Sequence, residues 1–177
     1  MVRLRPCLPL AAFVAVATAL GLTIGADRSK MPSMQIDRAA PAFALAPIND
    51  GDEGLSSEDL KSAVALLNIF ASWRPVGRAE HPFLLQLAET RQVPIFGINW
   101  KDDLQNGLRC LREHKSPYNR VGVDANGQIG GELGVTGAPE TLVIDRTGRV
   151  RHRHPGPLTQ EVWREIFEPS LTKLRSA

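Results

Sequence analysis

Cysteine is almost missing from this chain. Cys7 and Cys110 are its whole supply, which excludes a disulfide framework and a cysteine-rich zinc site. Aromatic residues are sparse at 6%, with a single tyrosine. An excess of charge is missing too, since 21 lysines and arginines stand against 19 acids for a net charge of +2. That balance gives no footprint for nucleic acid, and no basic patch is interleaved with aromatics. The sequence has no P-loop, GxGxxG, HExxH or GxSxG. Phosphate-cradling, zinc-peptidase and serine-hydrolase chemistry therefore have nothing to stand on. What remains is the composition of an ordinary globular chain, 43% apolar and 23% charged, which rules out a disordered tail, a collagen-like chain or a coiled coil. A length of 177 residues suits one domain with a short extension.

Charge is also absent from Pro6 to Ala26. As a helix at ~1.5 Å per residue this stretch spans ~31 Å, close to the hydrocarbon thickness of a bilayer. A cleaved signal peptide would use Ala15-Val16-Ala17 or Ala17-Thr18-Ala19 as its small-residue site. The apolar run continues past both sites, so an uncleaved anchor over residues 1–26 is the expectation. Arg3 and Arg5 before it are balanced by Arg28 and Lys30 after it, and only the α-amino group tips the N-terminus inward. Cys7 reads as a small apolar residue at the membrane boundary. Residues 27–41, polar with two prolines and no period, read as a linker, leaving 42–177 as the folded domain.

Two short apolar runs, Val64–Phe70 and Pro94–Trp100, have the pattern of strands buried on both faces. Between them Phe83, Leu84, Leu87 and Ala88 fall on one face of a helix over Arg78–Thr90, with Pro82 kinking it or marking its first turns. Strand–helix–strand predicts a parallel pair. A second helix is expected over Asp103–His114, then a short strand Arg120–Val123 closed by a turn at Asp124–Gly127. Thr141–Ile144 and Val150–His154 flank Asp145-Arg-Thr-Gly148, a hairpin signal. Thr159 reads as the N-cap of a last helix with Val162, Trp163 and Ile166 inward. The expected architecture is α/β, one domain with a mixed central sheet flanked by helices, as a thioredoxin-like fold requires.

The stretches VALLNIFASW, RAEHPFLLQLA, IFGINWKDD, SPYNRVGVDANG, LGVTGAPETLVIDRTG and RHPGPLT, running from Pro41 to Trp163, resemble the CcmG/DsbE family of thioredoxin-like proteins. The resemblance implies a single-pass protein of the bacterial inner membrane with its soluble domain in the periplasm. It also implies a role in keeping apocytochrome c thiols reduced during cytochrome c maturation, with apocytochrome c or maturation components as partners. No cofactor is implied.

The departure lies at the centre of the chemistry. Where the family has C-x-x-C-R after ASW, this chain has Arg74-Pro75-Val76-Gly77-Arg78. Arg74 stands at the nucleophile and Gly77 at the resolving thiol, so dithiol exchange cannot run by the usual route. The neighbouring positions match the family. Trp73 resembles its aromatic wall, Ala138 and Pro139 its cis-proline loop, which offers backbone groups to an extended peptide. Glu80 and Glu140 resemble its acidic residues near the thiols. Without thiols, the two carboxylates are expected to pair with Arg74 or Arg78, unless Glu80 is simply a solvated helix residue. The leading reading is thus a redox-silent binding module for apocytochrome c or an assembly partner. The rival is an active reductase using Cys110 or a partner's thiols, although Cys110 itself reads as a small, half-buried packing residue. A decaying duplicate is a third possibility.

Two weaker constellations remain. His152 and His154 share one face of a strand, but no third ligand is placed by sequence, and a solvated edge strand is the better reading. Asp102 and Asp103 read as residues that cap and charge the start of the second helix.

Overall fold

The computed structural model describes residue 18, residues 36–61 and 63–74, and residues 77–176, with Arg78 described in its backbone only. The chain divides into two units, residues 1–31 and 32–177, and the second contains the sheet and the helices that cover it. The anchor expected over residues 1–26 lies outside the described residues. Among the described residues no helix is long and apolar enough to cross a membrane.

The two apolar runs form the middle of the sheet. β3 (Ala65–Phe70) and β4 (Ile95–Trp100) are buried at every position and run parallel, Leu66 opposite Ile95 through Phe70 opposite Asn99. Two minor strands precede them, β1 (Ala44–Leu45) and β2 (Leu55–Ser56), paired antiparallel. The connecting helix α1 (Gly77–Thr90) carries Pro82 in its second turn and runs on to Thr90. Proline there removes the backbone bond that would run to residue 78, one turn into the helix. Helix α2 (Leu104–His114) leads to β5 (Arg120–Asp124), parallel to β4. A short helix α3 (Gln128–Glu132) follows. β6 (Glu140–Ile144) and β7 (Val150–Pro155) are joined through the turn at Asp145 and complete a five-stranded sheet of order β5-β4-β3-β6-β7, with β6 antiparallel to both neighbours.

Alternation along each strand sends successive side chains to opposite faces. Leu67, Ile69, Phe96, Ile98, Leu142 and Ile144 pack on one side with Phe43, Leu55 and Leu133. Leu66, Ile95 and Val143 face the other side, where Leu84 and Leu87 of α1 meet Trp163, Phe167 and Leu171. Those three belong to the C-terminal helical run, α4 (Gln160–Val162), a π-helical turn (Trp163–Phe167) and α5 (Glu168–Ser176). Thr159 caps α4, its hydroxyl accepting from the Val162 N–H at 3.3 Å. Asp145 locks the hairpin turn, accepting from Thr147 N (2.8 Å), Thr147 Oγ1 (2.7 Å) and Arg149 N (3.1 Å) on one oxygen and from Arg151 Nε (2.6 Å) on the other. Burial pushes this carboxyl up, but those bonds outweigh it and hold its pKa at about 2.

The minor strands, α3 and the π-helical turn had no counterpart in the sequence reading. Two-residue strands are too short to show a period, and a π turn differs from an α turn by a single inserted residue. Ahead of β1, the Asp37 N–H donates to Val150 O at 2.7 Å and the Ala40 N–H to Gly148 O at 2.8 Å, so residues 37–40 lie along the start of β7.

Candidate functional site

The chain leaves β3 at Ala71 and reaches α1 at Gly77. The loop between them is pinned by Asp102, whose carboxylate accepts from Ser72 N (2.6 Å), Ser72 Oγ (2.7 Å), Asn99 Nδ2 (2.8 Å) and Asp103 N (2.9 Å). The two neighbouring acids therefore divide the work that the sequence reading gave to both. Asp103 is the N-cap of α2, accepting from the Asn106 N–H at 3.0 Å, whereas Asp102 is the anchor of the loop that carries Trp73 and Arg74.

Trp73 is 49% exposed, yet its indole is fixed because Nε1–H donates to Lys101 O at 2.9 Å. The Arg74 guanidinium lies over this ring, 5.1 Å from its centroid. A Cβ on Gly137 would stand 3.9 Å from Arg74 Nη2, and one on Gly77 would meet nothing within 4 Å. The Ala138–Pro139 peptide is cis, as the loop resemblance implied. Arg74 thus reaches the residue that leads into that loop. The Ala138 side chain is in the core, and neither its N–H nor its carbonyl is bonded to another backbone group among the described residues. The Pro139 carbonyl accepts from the Gly156 N–H at 2.9 Å.

The expected carboxylate partners of Arg74 have gone elsewhere. Glu140 is fully buried and pairs with Arg153, whose Nε and Nη2 both bond its carboxylate. The same carboxylate also accepts from the Thr136 N–H at 3.2 Å. Arg153 stands opposite Leu142 across the β6–β7 ladder, and proximity along the hairpin decides the pairing. Glu80 is only 2% exposed, which also corrects its reading as a solvated residue. Its Oε2 accepts from the Leu158 N–H (2.8 Å) and its Oε1 from Asn68 Nδ2 (3.1 Å). Asn68 donates further to Thr141 Oγ1 (3.0 Å) and accepts from the Tyr118 hydroxyl (2.7 Å). Burial outweighs the bonds from Leu158 and Asn68, and pushes the Glu80 carboxyl up to about 7. Burial likewise drives the Tyr118 hydroxyl well above its ordinary value, helped by the charges of Glu80 and Cys110. Among the described residues Arg74 makes no ion pair. The side chain of Arg78 lies outside the described residues.

Beneath the loop is a cavity of about 30 Å³, lined by Arg74, Gly77, Glu80, His81, Cys110 and Tyr118, with room for a water molecule. Cys110 is half-buried, as expected, but it lies on the wall of the former thiol site. His81 Nε2 ties α1 to the end of α2 through Lys115 O (2.8 Å) and His114 O (3.1 Å).

The histidines of β7 are not simply solvated. His152 and His154 both set their rings edge-on to Phe167, at 5.5 and 6.1 Å, and burial with the neighbouring His154 lowers the His152 pKa. The described residues contain no group of three His, Cys, Asp or Glu side chains able to hold a metal. Sequence reasoning passed over Asn68, Thr141, Tyr118 and Arg153. One signal was available: Asn68 is the only polar residue in the buried run VALLNIF, and such a residue needs a partner.

Chemically, the site presents a fixed indole, a guanidinium that pairs with no carboxylate among the described residues, a cis-proline loop whose Ala138 backbone groups bond no other backbone among them, and a buried carboxyl able to hold a proton near neutrality. No thiol is at either position of the lost motif.

A redoxin family model matches residues 35–168. The chain is similar to the thiol:disulfide interchange protein DsbE of Pseudomonas aeruginosa, 42% identical over 94% of this chain and 92% of that protein. It is similar also to DsbE of Escherichia coli K12, 36% identical over 94% and 92%. Among solved structures, a putative thiol:disulfide interchange protein DsbE from Chlorobium tepidum superposes with a TM-score of 0.65 at 24% identity, covering 77% of this chain and 94% of that one.

Proposed function

We propose, from the premise that this chain belongs to the redoxin family and to its DsbE thiol:disulfide interchange branch, that it is a redox-silent peptide-binding member of that branch. It is held by its N-terminus in the bacterial inner membrane with its domain in the periplasm, and its partner is apocytochrome c or a component of cytochrome c maturation. One observation carries the reading. Arg74 and Gly77 occupy the two thiol positions while the surroundings of a thiol site are kept: the Trp73 wall, the cis Ala138–Pro139 peptide and the buried Glu80. Thiol–disulfide exchange needs an attacking thiolate and a leaving thiol, and neither position supplies one. Strand-like capture of a peptide by backbone groups needs neither.

The rival reading, a reductase working through Cys110, draws on the place of that residue in the cavity wall. A pair of variants separates the two. The unmodified protein is expected to leave a disulfide substrate unreduced, and Arg74→Cys with Gly77→Cys is expected to produce a redox-active dithiol. Complementation of cells lacking an active DsbE should follow the double variant and not the parent. Reduction by the parent, abolished by Cys110→Ser, would overturn the proposal.

A further inference from the structure

Resting on the peptide-binding reading above, we infer that the site selects a peptide carrying an acidic side chain, and that Arg74 is the residue that selects it. Three arginines among the described residues of the domain are paired with carboxylates. Arg120 is paired with Glu53 and Asp59, Arg151 with Asp37 and Asp145, and Arg153 with Glu140. Arg74 has no such partner among the described residues, because the two acids nearest to it in the expected arrangement are spent on Leu158, Asn68 and Arg153. Its guanidinium is nevertheless placed. It rides on an indole that is itself bonded to Lys101 O, so binding an anion costs less side-chain ordering than at a loose arginine.

The direction of that placement identifies the ligand. Nη2 lies 3.9 Å from where a Cβ on Gly137 would stand, beside Ala138, neither of whose backbone groups bonds other backbone among the described residues. A peptide extended along Ala138 turns alternate side chains to the same side, and one of them meets Arg74. Aspartate or glutamate there takes two parallel charge-assisted hydrogen bonds from the guanidinium fork. The position that would attack a disulfide sulfur in a thiol enzyme thus becomes a specificity position for an acid.

The test uses the full-length chain and three labelled pools of blocked pentapeptides, identical except for Glu, Gln or Lys at the centre, read by fluorescence anisotropy. The unmodified protein is expected to bind the Glu pool about tenfold more tightly than the Gln pool, equivalent to about 1.4 kcal/mol. Arg74→Gln should erase that preference, the Glu and Gln pools then binding alike. Arg74→Lys should restore only part of it, since an ammonium lacks the fork, and Arg74→Glu should turn the preference to the Lys pool. Equal affinity of the unmodified protein for Glu and Gln pools overturns the role of Arg74 and leaves peptide binding standing. Binding of none of the pools overturns both.

Discussion

Arg74 and Glu80 show how one substitution changes what its neighbours are for. Glu80 faces a side-chain amide, a backbone N–H and a cavity whose wall also carries Cys110. Its ordinary value of 4.5 is raised to about 7 in the folded chain. Between those two values the folded state holds a proton that the unfolded state releases. Stability from this group is therefore full below 4.5 and is lost as the pH rises through 7, by about 3 kcal/mol in all. Glu80→Gln cannot ionise, and its amide leaves one of the two donors facing another donor, an offset of ~1–3 kcal/mol that does not vary with pH. Urea unfolding from pH 5 to 8 should show the parent losing stability relative to Glu80→Gln across this range. Parallel curves would show that Glu80 does not titrate there. This carboxyl was named from its sequence position, but its burial was not legible, because Leu158 lies 78 residues and Thr141 73 residues from the groups they contact.

At the scale of elements, α2 approaches β4 so closely that Gly107 has no room for a side chain. A Cβ there would stand 2.7 Å from Asn99 Oδ1 and 2.8 Å from Nδ2. Asn99 cannot yield freely, since its amide is bonded to the Asp102 carboxylate that pins the loop at Ser72. Gly→Ala inside a helix ordinarily gains ~1 kcal/mol. Gly107→Ala should instead lose about 1–3 kcal/mol to overpacking and loosen the loop bearing Trp73. Thermal unfolding and the emission of Trp73 check it, and a variant more stable than the parent would show that α2 can shift outward. Helix α2 itself was legible in the spacing of Leu104, Leu108 and Leu111. The need for glycine in it was not, because a close approach belongs to two elements and appears in the periodicity of neither.

For the whole molecule, the proposed anchor and the proposed site make one arrangement, a periplasmic binding domain held at the membrane. The uncharged stretch from Pro6 to Ala26 should keep the full-length chain in the membrane fraction after carbonate extraction, with its N-terminus intact. A mature chain beginning near Leu20 would show cleavage by signal peptidase and an unanchored domain. The five-stranded sheet with helices on both faces contains neither position of the lost thiols, Arg74 lying in the loop after β3 and Gly77 at the start of α1. The fold is therefore kept with both cysteine positions of the motif replaced.

The cis-proline loop came with the family resemblance. Sequence alone was enough for the strand–helix–strand order, the hairpin at Asp145 and the absence of both thiols. Each of these is written in residues adjacent in the chain, in a period of two or 3.6, in turn chemistry or in the identity of one position. Tertiary structure decided the rest. It gave Glu140 to Arg153, Glu80 to Leu158 and Asn68, and Asp102 to Ser72, and so left Arg74 without a carboxylate among the described residues. Pairing is settled by distance and burial between groups that the fold brings together, and several acids lay equally open to several arginines until the sheet had set which of them could meet.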